Sequence, residues 1–185
     1  MINEIMADTK TRMKKSIATV KVELAKIRTG RASPGLLDHV VVSYYGNDVP
    51  LNQAATISVS DARTLSVQAW EKNMVPTIEK AILESQLGLN PVTAGEGVRI
   101  PIPALTEERR REMTKLVRTE GENGKVAVRN IRRDAISHAR DLVKSKDIGQ
   151  DDEKKGVEQI QSLTDQYTAE IDALIKEKEA EIMEV

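Results

Sequence analysis

The sequence contains no cysteine and no phenylalanine, and these absences set the first limits on its chemistry. Without cysteine the chain can form no disulfide, thiolate metal site or cysteine nucleophile, and a reducing compartment is favoured. Aromatic residues are limited to three tyrosines and one tryptophan. Compact domains normally use aromatic rings as large core fillers. Their scarcity therefore favours helices that pack through narrow seams of Leu, Ile, Val and Ala.

Long apolar runs are also missing. No stretch approaches the roughly 18 consecutive apolar residues of a membrane-spanning helix, so we expect no membrane association. The first eight residues include Glu4 and Asp8 and lack the apolar core of a secretory signal. Together with the lack of cysteine, this pattern predicts a cytoplasmic protein.

All six prolines lie between positions 34 and 103, which divides the chain into two kinds of sequence. Because proline breaks helix interiors, residues 1–30 and 104–185 are free to form long helices. Apolar residues recur there at steps of three and four, which predicts three amphipathic helices, the first ending at Gly30. Such helices can bury their apolar stripes against one another, so we predict an elongated three-helix bundle.

Residues 31–103 have the pattern of a small β/α/β domain, inserted into the bundle to give an α+β fold. Runs of β-branched and aromatic residues predict strands, and Pro101 suggests that the last of them is an edge strand. The predicted strands are 40–45, 56–59, 65–70 and 98–102, and the predicted helix is 77–87.

Two chain connections join the predicted domains, and their glycine and proline suit a hinge. A fixed interface between the domains is the alternative. The residues at these connections are Gly30 and Arg31 on one side and Pro103, Ala104, Leu105 and Thr106 on the other.

The net charge of −1 hides a strong asymmetry along the chain. Residues 1–29 carry seven Lys/Arg against three Asp/Glu, and residues 104–148 carry twelve against eight. Residues 149–185 carry four against eleven. One face of the bundle should therefore be basic and another acidic, an arrangement compatible with docking on nucleic acid.

The sharpest basic feature is a row of cations on the second long helix, with helical spacing that places them on one broad face. Arginine suits phosphate because its planar fork donates two parallel hydrogen bonds and keeps its charge. Arg28 and Arg31 flank the first connection and are further candidates. The alternative is a solvated face with ion pairs inside the protein. The candidate RNA-binding residues on the helix are Lys125, Arg129, Arg132, Arg133 and Arg140.

Catalysis has little support in the sequence. His39 and His138 fall in different predicted domains, and His138 lies near the apolar stripe, where we expect a packed core residue. Neither a phosphate-binding loop nor a dinucleotide-binding turn is present. We therefore expect no catalytic residue, no metal site and no cofactor.

Six groups of residues carry a resemblance to one known family: 27–34, 44–46 followed by 50–51, 87–91, 99–101, 105–110 and 126–135. Each alone is a weak signal, but the combination is specific and spans residues 27–135. Together they resemble the ribosome recycling factor family.

The resemblance implies an L-shaped, two-domain translation factor that binds the post-termination ribosome in the intersubunit space. It implies that the bundle contacts large-subunit ribosomal RNA through the face holding Arg129, Arg132 and Arg133. It also implies cooperation with elongation factor G, whose GTP hydrolysis drives subunit splitting, while this chain holds no nucleotide. We expect a monomer. The alternative function is a helical adaptor that binds a protein partner.

Gly121 and Gly124 lie within one turn of the second long helix. Because glycine has a low helix propensity, we expect this part of the helix to be locally less stable, a soft spot.

Overall fold

The computed structural model describes residues 1–184, and these residues form two compact units. The bundle unit comprises residues 1–29 and 107–184, and the sheet unit comprises residues 30–106. Each unit has its own cluster of buried apolar side chains. The chain is therefore built as a small mixed domain inserted between the first and second helices of an all-helical one.

The bundle unit consists of three helices whose apolar stripes meet in one core. Acidic residues occupy the first turns of the two long helices that follow the insert, where they stabilise the positive end of the helix dipole. Tyr167 is the single aromatic side chain in this core, and burial raises its pKa. The helices are α1 (Ile2–Ala25), α3 (Glu107–Lys144) and α4 (Gln150–Met183).

Helix α1 ends earlier than the sequence predicts. Its last residue is Ala25, and the backbone N–H of Ile27 bonds to the Leu24 carbonyl only three residues back. This tighter turn ends the helix before Gly30, which has a positive φ of 75°. The prediction of a stop at Gly30 was therefore wrong by about one turn, although the glycine does mark a change of chain direction.

Gly121 and Gly124 lie in an unbroken stretch of α3, and both are buried. A Cβ placed at Gly121 would overlap Ile175 of α4, and one placed at Gly124 would overlap Val20 of α1. The two glycines therefore let both neighbouring helices approach α3 closely. Both positions of the expected soft spot therefore lie in close contacts between helices.

The sheet unit contains a two-stranded and a four-stranded antiparallel sheet, with one helix packed beside them. In the four-stranded sheet the strands 55–61, 64–69, 97–101 and 92–94 lie side by side in that order. Its buried face and the helix share one core that includes Leu65, Ile78 and Ile100. The elements are β1 (Val41–Tyr44), β2 (Asn47–Pro50), β3 (Ala55–Asp61), β4 (Thr64–Ala69), α2 (Val75–Glu84), β5 (Val92–Ala94) and β6 (Gly97–Pro101).

The predicted strand 40–45 is the first arm of a β1–β2 hairpin, whose second arm the sequence did not predict. Tyr44 pairs with Asn47, so the turn residues are Tyr45 and Gly46, with φ of 50° and 81°. Positive φ at both central positions defines the tight turn that best matches strand twist. Asn47 and Asp48, which follow the predicted strand 40–45, begin the return strand β2.

The last strand, β6, is an interior strand, so the prediction of an edge strand was wrong. It pairs with β4 on one side and with β5 on the other. Pro101 is tolerated because it lies beyond Arg99, the last β6 residue that pairs with the short strand β5. A proline at the end of a strand therefore does not identify a sheet edge.

Both ends of the sheet unit are fastened to the same β3–β4 turn. The Ala32 backbone N–H donates to the Ala62 carbonyl at 2.8 Å, and that of Ile102 donates to the Arg63 carbonyl at 2.7 Å. Outside these two bonds the chain leaves regular structure, and residues 102–106 form neither helix nor strand. The two connections therefore start from neighbouring points of the sheet.

Candidate nucleic-acid interface

The five candidate cations of the second long helix lie on α3, and four α3 cations reach across to α4. The contacts to α4 are made by Arg118, Lys125, Arg132 and Arg140, which follow one another at steps of seven, seven and eight residues. Such steps return to nearly the same side of a helix. These four residues define the α3–α4 seam, and Arg129 and Arg133 lie beside it on the same helix.

Arg132 is held in the seam by burial and by one hydrogen bond. It is partly buried, and its Nη1 donates to the side-chain oxygen of Gln161 at 2.9 Å. Its Nε atom is buried and has no hydrogen-bond partner within residues 1–184. The guanidinium is therefore held in place by packing and by one neutral acceptor.

Three other candidates form ion pairs with acidic residues of the protein itself. Lys125, whose side chain is only 23% exposed, pairs with Asp172 of α4. Arg129 pairs with Glu122 at 2.6 Å, and Arg140 lies 3.8 Å from Glu153. Two of these acidic partners, Asp172 and Glu153, lie on α4, whereas Glu122 lies on α3 itself.

The remaining candidates differ in their surroundings. Arg133 and Arg28 are exposed, and their side chains form no hydrogen bond or ion pair within residues 1–184. Arg28 belongs to the bundle unit and follows the end of α1, whereas Arg31 belongs to the sheet unit and is exposed. The structure thus brings together the candidates on α3. It leaves the two residues at the first connection in separate units.

At the connections, Gly30 occupies a backbone conformation that other residues rarely adopt. Its φ is 75°, and a Cβ built there would lie 3.2 Å from Cγ of Leu105. The residues of the second connection are mostly exposed, and Leu105 is partly buried. The chain at Gly30 therefore depends on the absence of a side chain, both for its φ and for the space beside Leu105.

A cluster in the sheet unit combines two tyrosines with one carboxylate. The hydroxyls of Tyr44 and Tyr45 both donate to Glu71, and the two rings meet edge to face with centroids 4.7 Å apart. These hydrogen bonds, that of Tyr45 first, lower the pKa of Glu71. The same bonds raise the pKa of both tyrosines, because ionised phenols could no longer donate. Tyr45 is 69% exposed, so the cluster lies on the surface.

Two residues of these networks were not singled out from the sequence. Gln161 and Glu71 are ordinary polar residues in their local segments, and their roles come from partners 29 and 27 positions away. Only the three-dimensional pairing identifies them. The sequence of α4 gave no hint of Gln161, because the helix holds three other glutamines.

His138 is exposed, so the prediction that it packs in the core was wrong. The buried stripe of α3 passes through Ala135 and Ala139, and a neighbouring residue is turned by about 100°. His138 instead lines a groove with Met1, Glu4 and Asp141, among other residues. In residues 1–184 no group of three or more His, Asp or Glu side chains is arranged to hold a metal ion. No helix in that range is long and apolar enough to cross a bilayer.

Comparison with known sequences gives one consistent result. A family model described as ribosome recycling factor matches residues 20–183. Ribosome-recycling factors of Legionella pneumophila (strain Corby) and Nitrosospira multiformis are 57% and 58% identical over 185 residues. Both alignments cover all of this chain and all of the relative.

Solved structures agree with the sequence comparison. A solution structure of the ribosome recycling factor is 42% identical, with a TM-score of 0.74, and covers 100% of this chain and 98% of that one. A second match, with a TM-score of 0.65 and 46% identity, covers all of both chains. Its title describes the T. thermophilus factor and E. coli elongation factor G bound to the E. coli post-termination complex. The α+β fold and the full-length match lead to one assignment: the chain belongs to the ribosome recycling factor family.

Proposed function

We propose that this chain takes part in ribosome recycling: it binds the post-termination ribosome between the subunits and, with elongation factor G and GTP, promotes their separation. Full-length identity of 57% to ribosome-recycling factors supports this function. The related structure whose title places both factors on a post-termination complex supports the choice of partners. A location in the cytoplasm is consistent with this function.

In this proposal the α3 cations bind phosphates of large-subunit ribosomal RNA. The single observation that carries it is the row of cations on one side of α3, from Lys125 to Arg140. Ion pairs between exposed side chains contribute only about 0–1 kcal/mol, so phosphate can displace the acidic partner of Arg129 or Arg140. Arg133 needs no such exchange, because it forms no ion pair within residues 1–184.

The sheet unit moves relative to the bundle unit in this proposal, through the connections at Gly30–Arg31 and Pro103–Thr106. Two observations support a hinge there. The connections start beside each other on the β3–β4 turn, and neither contains regular secondary structure. Adjacent single-chain crossings resist rotation less than a broad packed interface. The GTPase supplies the driving reaction, and no covalent step is assigned to this chain.

Sedimentation with vacant 70S ribosomes at rising salt tests the RNA contact. If four cations release counterions from phosphate, log K should fall against log salt with a slope of about −3 to −3.5. The Arg129→Ala/Arg132→Ala variant should bind more weakly and with a shallower slope. The matched control is Lys14→Ala/Lys21→Ala, which removes two exposed charges from α1.

Unchanged affinity and slope in the Arg129→Ala/Arg132→Ala variant would remove the α3 face from the interface. Sub-stoichiometric association that ignores these substitutions is the result expected of a helical adaptor with a protein partner.

A further inference from the structure

The α3–α4 seam pairs each of its cations with one side chain of α4, and one pairing differs from the others. Three α3 cations meet carboxylates, whereas the partner of Arg132 is the amide oxygen of Gln161. The pairs are Arg118–Glu179 at 2.7 Å, Lys125–Asp172, Arg132–Gln161 at 2.9 Å and Arg140–Glu153 at 3.8 Å.

The difference matters because a carboxylate and an amide do different things to an arginine. A carboxylate holds the guanidinium in place and also neutralises its charge. That ion pair has to break before a phosphate can bind. An amide oxygen fixes the guanidinium through one hydrogen bond and leaves the positive charge in place. Arg132 forms no ion pair with any carboxylate within residues 1–184.

The amide itself is held in one orientation. The Gln161 side-chain nitrogen donates to Asp165 at 2.8 Å, which turns the oxygen of the same amide towards Arg132. Asp165 therefore acts on Arg132 through Gln161 and does not neutralise it. The chain of contacts runs from a carboxylate through a neutral amide to a charged guanidinium.

Burial adds to this restraint. The Nε atom of Arg132 is enclosed, and the residue as a whole is only partly exposed. A side chain already held in one position loses less rotational freedom when it binds a ligand than a freely moving arginine does. Arg132 is thus both charged and preorganised, which is true of no other cation of the seam.

We infer that Gln161 is a positioning residue for RNA binding: it fixes the Arg132 guanidinium without neutralising it, so that this member of the seam is ready to bind a phosphate. The inference rests on the proposed function, because it assumes that α3 contacts ribosomal RNA. It adds the α4 residue that distinguishes Arg132 from its neighbours.

Converting the amide to a carboxylate tests this directly. Gln161→Glu keeps the size of the side chain and gives Arg132 the same kind of partner that its neighbours have. Binding to vacant 70S ribosomes should weaken on the order of ten-fold. The salt slope should become shallower by about 0.7–0.9, the share of one phosphate contact. The control Gln159→Glu adds the same charge at an exposed position of α4 whose side chain forms no hydrogen bond within residues 1–184.

Two further variants separate positioning from charge. Gln161→Ala should weaken binding by a few-fold and leave the salt slope unchanged, because Arg132 stays charged but is no longer held. Adding Gln161→Glu to Arg132→Ala should cost no more than the Gln159→Glu control adds to that variant. Circular dichroism and thermal unfolding of each variant confirm that the bundle is intact.

The outcomes distinguish this inference from the function on which it rests. If Arg132→Ala weakens binding but Gln161→Glu behaves like Gln159→Glu, the inference is wrong and the proposed contact stands. If Arg132→Ala itself leaves affinity and slope unchanged, the proposed RNA contact is wrong and the role of Gln161 falls with it.

Discussion

Individual cations on α3 differ in how much charge remains after their contacts within the protein. Arg133 keeps its charge because it is unpaired within residues 1–184, and Arg132 keeps it because its acceptor is neutral. The charges of Lys125 and Arg129 are offset by ion pairs with Asp172 and Glu122. A count of basic residues in the sequence therefore overstates the charge that is free for a ligand.

In the Tyr44–Tyr45–Glu71 cluster, the pKa of Glu71 should depend on the two tyrosine hydroxyls. Tyr45→Phe removes the hydrogen bond that contributes most to lowering the pKa of Glu71, so that pKa should rise towards its ordinary value. NMR titration of the Glu71 carboxyl carbon measures it directly, and Tyr44→Phe should give a smaller rise in the same direction.

The sign of the linked stability change follows from the lowered pKa. The hydrogen bonds to ionised Glu71 contribute above the pKa of the unfolded chain and are lost as pH falls through the lower folded value. For the tyrosines, whose pKa values are raised, the contribution is lost only as pH rises through the folded values. A Glu71 pKa that is identical in Tyr45→Phe and the wild type would show that the hydroxyl does not bind this carboxylate in solution.

Among the elements, helices and strands differ in how well their sequence predicts them. The helices of the bundle follow a local apolar period, and three long helices could be expected from residue spacing alone. Strands β2 and β5 are short, and their pairing partners are set by the rest of the sheet. This is why β2 and β5 were not predicted and β6 was taken for an edge strand.

Because α1 packs closely against α3 at Gly124, a larger residue at this position should change the stability of the bundle. Gly124→Ala should gain up to about 1 kcal/mol of helix propensity. It should lose about 1–3 kcal/mol through overlap with Val20, whose β-branched side chain has few alternative rotamers. We expect net destabilisation, measured as a lower urea midpoint.

The matched control is Asn123→Ala, at the exposed neighbouring position of α3. It should be neutral or slightly stabilising, because it gains helix propensity without any overlap. If Gly124→Ala were as stable as Asn123→Ala, α1 and α3 would not be as close in solution as the structure has them.

Considered as a whole, the chain consists of two separately packed units joined by two short connections. The division into a bundle and an insert follows from the positions of the prolines, and the family follows from motifs distributed over both parts. The candidate cations on α3 could also be found from spacing. Their partners could not, because Gln161, Asp172 and Glu153 lie on another helix and are brought to α3 only by the fold.

The proposed hinge predicts an effect on activity from Gly30→Ala. The substitution forces an L side chain into positive φ and brings its Cβ to 3.2 Å from Leu105 Cγ, so the connection should be strained. We expect ribosome binding to be nearly unchanged and subunit splitting with elongation factor G and GTP to be several-fold slower. Light scattering follows the splitting.

Gly88→Ala is the matched control, since Gly88 has a similar φ of 69° and open space around its Cβ position. It carries the same backbone strain away from the connections. Equal splitting rates in Gly30→Ala, Gly88→Ala and the wild type would argue against a hinge at Gly30.

The most direct test of the central claim is to map which ribosomal RNA lies beside α3. Because the chain has no cysteine, a single Ser137→Cys on α3 can carry an iron chelate that cleaves nearby RNA backbone. Ser137 is exposed and lies one turn from Arg133 and Arg140. Bound to 70S ribosomes, this probe should cut large-subunit RNA strongly, and a probe at exposed Ala18→Cys of α1 should cut it weakly or at other sites. Strong cleavage from Ala18 together with none from Ser137 would contradict the account.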